Sequence, residues 1–322
     1  MWRHKKMWIA IILLAITTLF CTVIAVQYRH DMKVAYEGLE LYHPKTLNTE
    51  FGTMSYIGEG KGEVVLVSHG IFGGYDQGMS SLRQLLGDDC QKISISRFGY
   101  PGSELPKNPT PENQAKVFKE LLDELGIQQA WILTTSAGGA AGFRFVLNYP
   151  ERVKGLILLS SGVPVKIRSA KEIGMTGPPK MMANDFPMWF FMKYFRFIFK
   201  SMFGSEVNED LYKTMLPLTP RKQGIAADTE LTNTDMLLHY DEYPVEKIKA
   251  PILLIHAKDD PMVKYENIEK LLARIHAETA IFETGGHLIS GHGGEVSEAI
   301  RDFIKKNSTP TKTTNYPRDT LI

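Results

Sequence analysis

Cysteine is nearly absent from this chain: Cys21 and Cys90 are the only two among 322 residues. Cys21 lies inside an apolar run, so the pair is not expected to bridge, and neither a disulfide framework nor a cysteine-based zinc site is available. An excess of charge of one sign is lacking as well. Lys and Arg number 37 against 36 Asp and Glu, a formal charge of +1, so no global field favours nucleic acid or an acidic partner. H-E-x-x-H does not occur, and the glycine-rich "HGIFGG" at 69–74 has neither the G-x-x-x-x-G-K-[ST] nor the G-x-G-x-x-G spacing. No metal, nucleotide or other cofactor is therefore expected. Internal repeats are missing too. Oligomeric state leaves no trace in these features.

Charge is also missing, locally, from one long stretch. After a basic start (Arg3, Lys5, Lys6), Trp8 to Val26 carries no charged residue. At about 1.5 Å per residue this run measures about 28 Å as a helix, close to the hydrocarbon thickness of a bilayer. A cleavable signal has a shorter apolar core, so residues 1–30 read as a signal anchor crossing a membrane once. The basic flank predicts a cytoplasmic N-terminus and a body outside the cell membrane, although Arg29 and Lys33 on the far side weaken that orientation. The alternative is a secreted protein, with Val23-Ile24-Ala25 serving as the cleavage site.

The remaining chain, with 43% apolar and 23% charged residues overall, has ordinary globular composition. Short apolar runs punctuate it: "EVVLVSHG", "KISISRFGYPGS", "AWILTTSAGG", "GLILLSSG", "PILLIHA" and "AIFETGGH". Most are continuous rather than alternating, as in strands buried on both faces of a parallel sheet. Helical patterns lie between several of them. Thr110-Pro111-Glu112 opens one with a capping threonine and an N1 proline; Val117, Leu121, Leu122 and Leu125 supply its apolar stripe, and Gly126 ends it. The alternation predicts an α/β fold, mostly a parallel sheet flanked by helices, with ligands at the carboxyl ends of the strands.

The pattern breaks between about 165 and 245, where no strand is legible and "MMANDFPMWFFMKYFRFIFKSMFG" is rich in Met and aromatics. This segment is expected to be a helical cap inserted between two parts of the core, 45–164 and 246–306. Read as one helix, Met188 to Phe203 places Lys193, Arg196 and Lys200 on one face. Trp189, Phe190, Phe191, Met192, Phe195, Ile198, Phe199 and Met202 occupy the broad remainder. Three expectations stand side by side: a cap helix packed on the core, a lining for an acyl pocket, or a helix lying on the membrane surface. A last helix around Val296 to Lys305 closes the core, and the polar segment 307–322 is expected to be disordered.

Ser136 sits where a buried strand runs into small residues, in Thr134-Thr135-Ser136-Ala137-Gly138. A serine hydroxyl becomes a nucleophile only with a base to take its proton and a carboxylate to orient that base. The competing reading is a serine that merely caps a helix. Taken with "HGIFGG", "RFGYPGS", "AKDDPMV" and "GGHL", in that order and each at a strand end, the stretch resembles the α/β-hydrolase superfamily, in its capped branch, over roughly residues 50–306.

That resemblance implies a Ser-Asp-His triad in chain order. Asp260 is the acid, on the pattern of a small residue (Ala257) three positions before it and Pro261 after it; Asp259 is the weaker candidate. The alternative acid position, after the preceding strand, reads "LLSSG" and offers no carboxylate. His287 is the base, with His292 its rival, while His69 takes a structural hydrogen-bonding role and His256 is buried mid-strand. The oxyanion donors are the backbone N–H groups of Ala137 and Ile71, with Phe72 second to Ile71. Thr134 departs from the glycine of G-x-S-x-G and is read as a tolerated gain in bulk.

The function implied is a membrane-anchored serine hydrolase that cleaves a carboxylic ester with an apolar acyl group. Its partners are a small ester or lipid-like substrate and, through the N-terminal helix, the membrane. Acyl transfer, peptide cleavage, carbon–carbon hydrolysis with the same triad, and a catalytically silent binding protein are the alternatives.

Overall fold

A computed structural model describes residues 2–174, 176–203 and 214–308. Its centre is an eight-stranded sheet of β1 (Lys45–Thr49), β2 (Gly52–Glu59), β3 (Glu63–Ser68), β4 (Cys90–Ile95), β5 (Ala130–Thr135), β6 (Val153–Leu159), β7 (Ile252–Ala257) and β8 (Glu278–Phe282), in the spatial order β1-β2-β4-β3-β5-β6-β7-β8. β1–β2 and β2–β4 pair antiparallel, and every later pairing is parallel. β3 is the first of the strands expected from the sequence. The β1–β2 hairpin is half polar ("KTLNT", "GTMSYIGE") and occupies the sheet edge, so it lacks the apolar run that marks the central strands.

Alternation within the central strands feeds two cores. Val65, Val67, Trp131, Leu133, Ile157, Leu253 and Ile255 face one side, packed against Leu82 of α2 (Tyr75–Leu85) and against Val296, Ile300 and Phe303 of a C-terminal helix (Gly293–Asn307). Leu66, Ile132, Leu156, Leu158 and Leu254 face the other, under α3 (Pro111–Glu124) and α4 (Gly139–Asn148). Burial on both faces is why these strands read as continuous apolar runs. Thr110 caps α3 through a hydrogen bond from Asn113 N, ahead of Pro111, as its residues predict.

The chain steps from β3 outward to β4, then crosses back to place β5 on the other side of β3. That reversal makes the carboxyl ends of β3 and β5 the topological switch point, where open α/β sheets leave a crevice.

Between β6 and β7 the described residues hold helices and turns: α5 (Asp185–Tyr194), α6 (Arg196–Phe203), α7 (Lys222–Ala227) and α8 (Asn233–Leu238), with a π-helical turn at Asp228–Thr232. The single helix expected over 188–203 is broken at Phe195, whose φ of −127° and ψ of 35° leave the helical region. The break separates the three basic residues: Lys193 turns to Asp31, at 2.5 Å, while Arg196 and Lys200 are exposed. Met202, expected on the aromatic face, has a side chain outside the described residues, as does the terminal segment 309–322.

The first helix, α1 (Trp2–Glu40), continues well past residue 30. Its length and apolar character suffice to cross a membrane. From Ile24 onward one face turns inward: Ile24 and Met32 are buried, and Gln27, Tyr28 and Asp31 are half-buried. Leu39 and the following Tyr42 pack on Ile57, Tyr75 and Met79 of the core.

Two buried Arg–Asp pairs tie the residues between β6 and β7 to the core. Arg97, just after β4, makes a bidentate pair with Asp228, both bonds 2.6 Å, and Tyr100 donates to the same carboxylate at 2.5 Å. Arg221 pairs with Asp76 of α2 at 3.0 and 2.6 Å. Such bidentate geometry satisfies the guanidinium fork and offsets the desolvation of both charges.

Candidate active site

Ser136 follows β5 at the first residue of a 3₁₀ turn that runs into α4, and its φ of 48° lies in the left-handed region. Non-glycine residues are held there only when their surroundings impose it. Here Ser136 N donates to Ser160 O (3.1 Å) and Gly162 N donates to Ser136 O (2.8 Å), so the turn after β6 pins the bend from both sides. Ser68 at the end of β3 adds a third hold, its Oγ donating to Gly138 O at 2.8 Å. A side chain at Gly138 would strike the Ser68 carbonyl at well under 3.0 Å, which is why the elbow demands small residues on this flank.

His287 lies in a turn after β8, with Gly285 (φ 137°), Gly286 (φ 63°) and Ile289 (φ 52°) giving the loop its reversal. His287 Nε2 is 2.9 Å from Ser136 Oγ, and Nδ1 is 2.8 Å from Asp260 Oδ2. Asp260 follows β7, is fully buried, and accepts from Met262 N (2.8 Å) and Val263 N (3.0 Å) through Oδ1. Burial alone would raise its carboxyl pKa, but hydrogen bonding and charge attraction from His287, aided by those two amides, hold it below the ordinary carboxylate value. An ionised carboxylate only accepts, so Nδ1 of His287 carries the proton and Nε2 of the neutral ring is left to accept from the Ser136 hydroxyl.

Asp259, beside Asp260, accepts from Gly286 N (2.8 Å) and Gly285 N (3.2 Å), tethering the His287 loop. His292 is turned to Glu295 (2.6 Å) and packs on Phe282. His256 Nε2 donates to Val263 O at 2.8 Å and stands 3.7 Å from Asp260 Oδ2; burial depresses its pKa against the pull of that carboxylate. His69 is fully buried, with Nδ1 donating to Gly70 O (2.8 Å) and Nε2 accepting from Arg97 N (3.0 Å). Burial, then the positive charge of Arg97, holds its imidazole well below the usual range, so it is neutral.

The turn after β3 abuts the serine: a methyl added at Gly70 would come 3.0 Å from Ser136 Cβ. Ile71 and Phe72 (φ 66°) follow directly, and Ala137 is the second residue of the 3₁₀ turn, whose first N–H groups have no partner within it. Over them lies an apolar cluster of Phe72, Tyr100, Met188, Met192, Phe199, Met215 and neighbours. α6 packs against the Gly286–Leu288 turn that carries His287. The loop from His69 to Asp76 is gripped at both ends, since Arg97 Nε donates to His69 O (2.9 Å) and Arg221 Nη1 to Gly73 O (2.6 Å). Sequence reading missed this grip: Arg221 and Asp228 stand in no recognisable motif, and only their contacts with Asp76 and Arg97 in the fold reveal them. No group of three or more His, Cys, Asp or Glu side chains among the described residues is placed to hold a metal ion.

A mostly parallel sheet with helices on both faces, with a serine on a strained turn at its switch point, defines an α/β hydrolase. Residues 63–292 match the family described as alpha/beta hydrolase fold, and the chain belongs to that family. It is 32% identical over 118 residues to an uncharacterized hydrolase of Bacillus subtilis, a match covering 36% of this chain but only 41% of that protein. It is 27% identical over 207 residues to a 2-hydroxy-6-oxononadienedioate/2-hydroxy-6-oxononatrienedioate hydrolase of Paraburkholderia phymatum, covering 59% of this chain and 67% of that one. Among solved structures, an esterase from Exiguobacterium antarcticum superposes with a TM-score of 0.62 at 19% identity, over 81% of this chain and 99% of its own. The chain shares the fold of this family of hydrolases.

Proposed function

We propose that this hydrolase is a membrane-anchored serine esterase acting on carboxylic esters with apolar acyl groups. The observation that carries the reading is the hydrogen-bonded row Asp260–His287–Ser136 on the strained turn after β5. Ser136 Oγ attacks the ester carbonyl carbon while its proton passes to His287 Nε2, and the imidazolium so formed is stabilised by Asp260. The oxyanion is received by the N–H groups of Ala137 and Ile71, with Phe72 the alternative second donor. Collapse breaks the C–O bond, the alcohol leaves with the proton from His287, and an acyl-Ser136 remains. Water then attacks this acyl group, losing its proton to His287, and releases the acid with Ser136 restored.

Apolar acyl groups are favoured because Met188, Met192, Phe199 and Met215 stand over the Ile71–Phe72 turn. The anchor reading rests on α1, with the N-terminus inside and the body outside the membrane. Carbon–carbon hydrolysis is the second reading, since the Paraburkholderia relative is named for an oxo-dienedioate substrate.

Labelling with a fluorophosphonate probe tests the nucleophile. Wild type is expected to label and Ser136→Ala to remain unlabelled; an unlabelled wild type would overturn the esterase reading. A chain-length series of 4-nitrophenyl esters, set beside a vinylogous 1,5-diketone, then separates ester from carbon–carbon cleavage.

A further inference from the structure

The helices α5 and α6 expose large apolar side chains: Phe186 is 46%, Tyr194 41% and Phe197 68% accessible. These residues join an aromatic run that begins on α1. Tyr28 meets Phe186 and Trp189, each at 5.2 Å between ring centroids. Phe186 stacks on Phe190 at 5.9 Å, Phe190 touches Phe195 at 5.8 Å, and Phe195 touches Phe197 at 6.2 Å. The run therefore extends from the foot of the apolar span to α6, the helix packed on the His287 turn.

Polar bonds fix its height along α1. Asp31 accepts from Trp189 Nε1 (2.9 Å) and Lys193 Nζ (2.5 Å), and Tyr194 donates to Gln27. Ile24, still within the uncharged run that ends at Val26, is already covered by the body at 8% exposure. At about 1.5 Å per residue, Gln27, Tyr28 and Asp31 lie within about 8 Å of the end of that run. This is the depth of the headgroup region, where aromatic side chains concentrate and amphipathic helices settle.

We infer that α5 and α6 form a membrane-docking surface, held at headgroup depth by the clamp between α1 and α5, whose partner is the lipid bilayer itself. The inference rests on α1 crossing the membrane, and it deepens the proposed function by making the ester substrate a bilayer-resident lipid that reaches Ser136 from the α6 side. Lys193, neutralised by Asp31, lets the helix junction lie against the interface without an unpaired charge. Arg196 and Lys200 supply an exposed basic edge toward the headgroups.

Full-length protein reconstituted in phosphatidylcholine–phosphatidylglycerol vesicles tests this. A polarity-sensitive fluorophore is placed, in a Cys21→Ser background, at Phe197→Cys, at Leu13→Cys in the span, and at Glu298→Cys on the C-terminal helix. Spin-labelled lipids are expected to quench the labels at positions 13 and 197 and to spare that at 298. Quenching at 13 with none at 197 overturns the docking surface and leaves the anchor standing; quenching at neither position overturns both. Cross-linking between two copies through position 197 without quenching assigns the face to a second copy instead. Phe197→Asp gives an independent readout: turnover of a vesicle-embedded palmitoyl ester is expected to fall roughly tenfold, with turnover of soluble 4-nitrophenyl acetate unchanged. An equal fall on both substrates overturns the proposal.

Discussion

The methyl of Thr134 fills the space that a side chain at position 142 would need. A Cβ built on Gly142 of α4 lies well under 3.0 Å from Thr134 Cγ2, and the Thr134 hydroxyl donates to Ser161 Oγ at 2.9 Å. The strand thus contributes the bulk at this crossing and the helix contributes the missing Cβ. The threonine that departs from G-x-S-x-G is accommodated by a glycine eight residues on, and its hydroxyl also braces the turn after β6 that pins Ser136.

Thr134→Gly is expected to keep activity while losing about 1–2 kcal/mol of stability, from a buried hydrogen bond and a small void. Gly142→Ala should cost about 1–3 kcal/mol by overpacking, against the gain of roughly 1 kcal/mol in helix propensity. Combined, the two changes should cost less than their sum by about 1 kcal/mol or more. Denaturant unfolding of the single and double variants measures this coupling, and strict additivity would contradict the contact.

Asp259 and Asp260 are adjacent but separable. Asp260→Asn leaves the geometry while favouring the wrong tautomer of His287, and kcat should fall by about 10⁴-fold. Asp259→Ala frees the amides of Gly285 and Gly286, and the resulting misplacement of His287 should lower kcat by roughly 10–100-fold with little change in KM. Steady-state kinetics on one soluble ester distinguishes the two.

Stability should fall with acid in two windows. His69 and His256 are held neutral in the folded protein, burial being the main cause in each. Below about pH 6.5 the unfolded chain takes up protons that the folded one does not, at up to about 1.4 kcal/mol per pH unit for each histidine. Asp260 has the opposite identity and a lower window: its depressed carboxyl contributes stability above its unfolded value near 3.9, lost as pH falls through the folded value. Denaturation midpoints against pH should therefore decline from about 6.5 downward, and His256→Asn should make that decline shallower.

Asp228→Asn leaves Arg97 buried with half of its partner and should cost about 3–5 kcal/mol. Replacing both members, Arg97→Met with Asp228→Leu, should cost less than the single change. Urea midpoints read the difference, and a single change that costs nothing would remove this pair as a tie between the two parts of the fold.

The central strands were legible because burial on both faces writes uninterrupted apolar runs such as "WIL" and "LILL". Ser136, Asp260 and His287 were legible because each stands at a strand end among small or turn-forming residues. The β1–β2 hairpin was hidden by its polar residues, which interrupt any apolar run even where, as at Ser55, they are buried. The break at Phe195 was hidden for another reason: the residues on both sides of it are helix-compatible, and Lys193 beside it reaches Asp31 of α1, a partner 162 residues away. The Thr134–Gly142 exchange is likewise a contact between elements, and no local pattern encodes it.

The paired grip on the His69–Asp76 loop limits how this enzyme can be recombined with its relatives. Arg221 and Asp228 belong to the segment between β6 and β7, whereas Asp76, Gly73 and Arg97 precede β5. A chimera that imports foreign helices between β6 and β7 without those two residues would strand Arg97 and Asp76 as buried, unmatched charges flanking the His69–Asp76 loop. The segment between β6 and β7 is therefore exchangeable only as part of a linked set, in which it and both ends of that loop travel together.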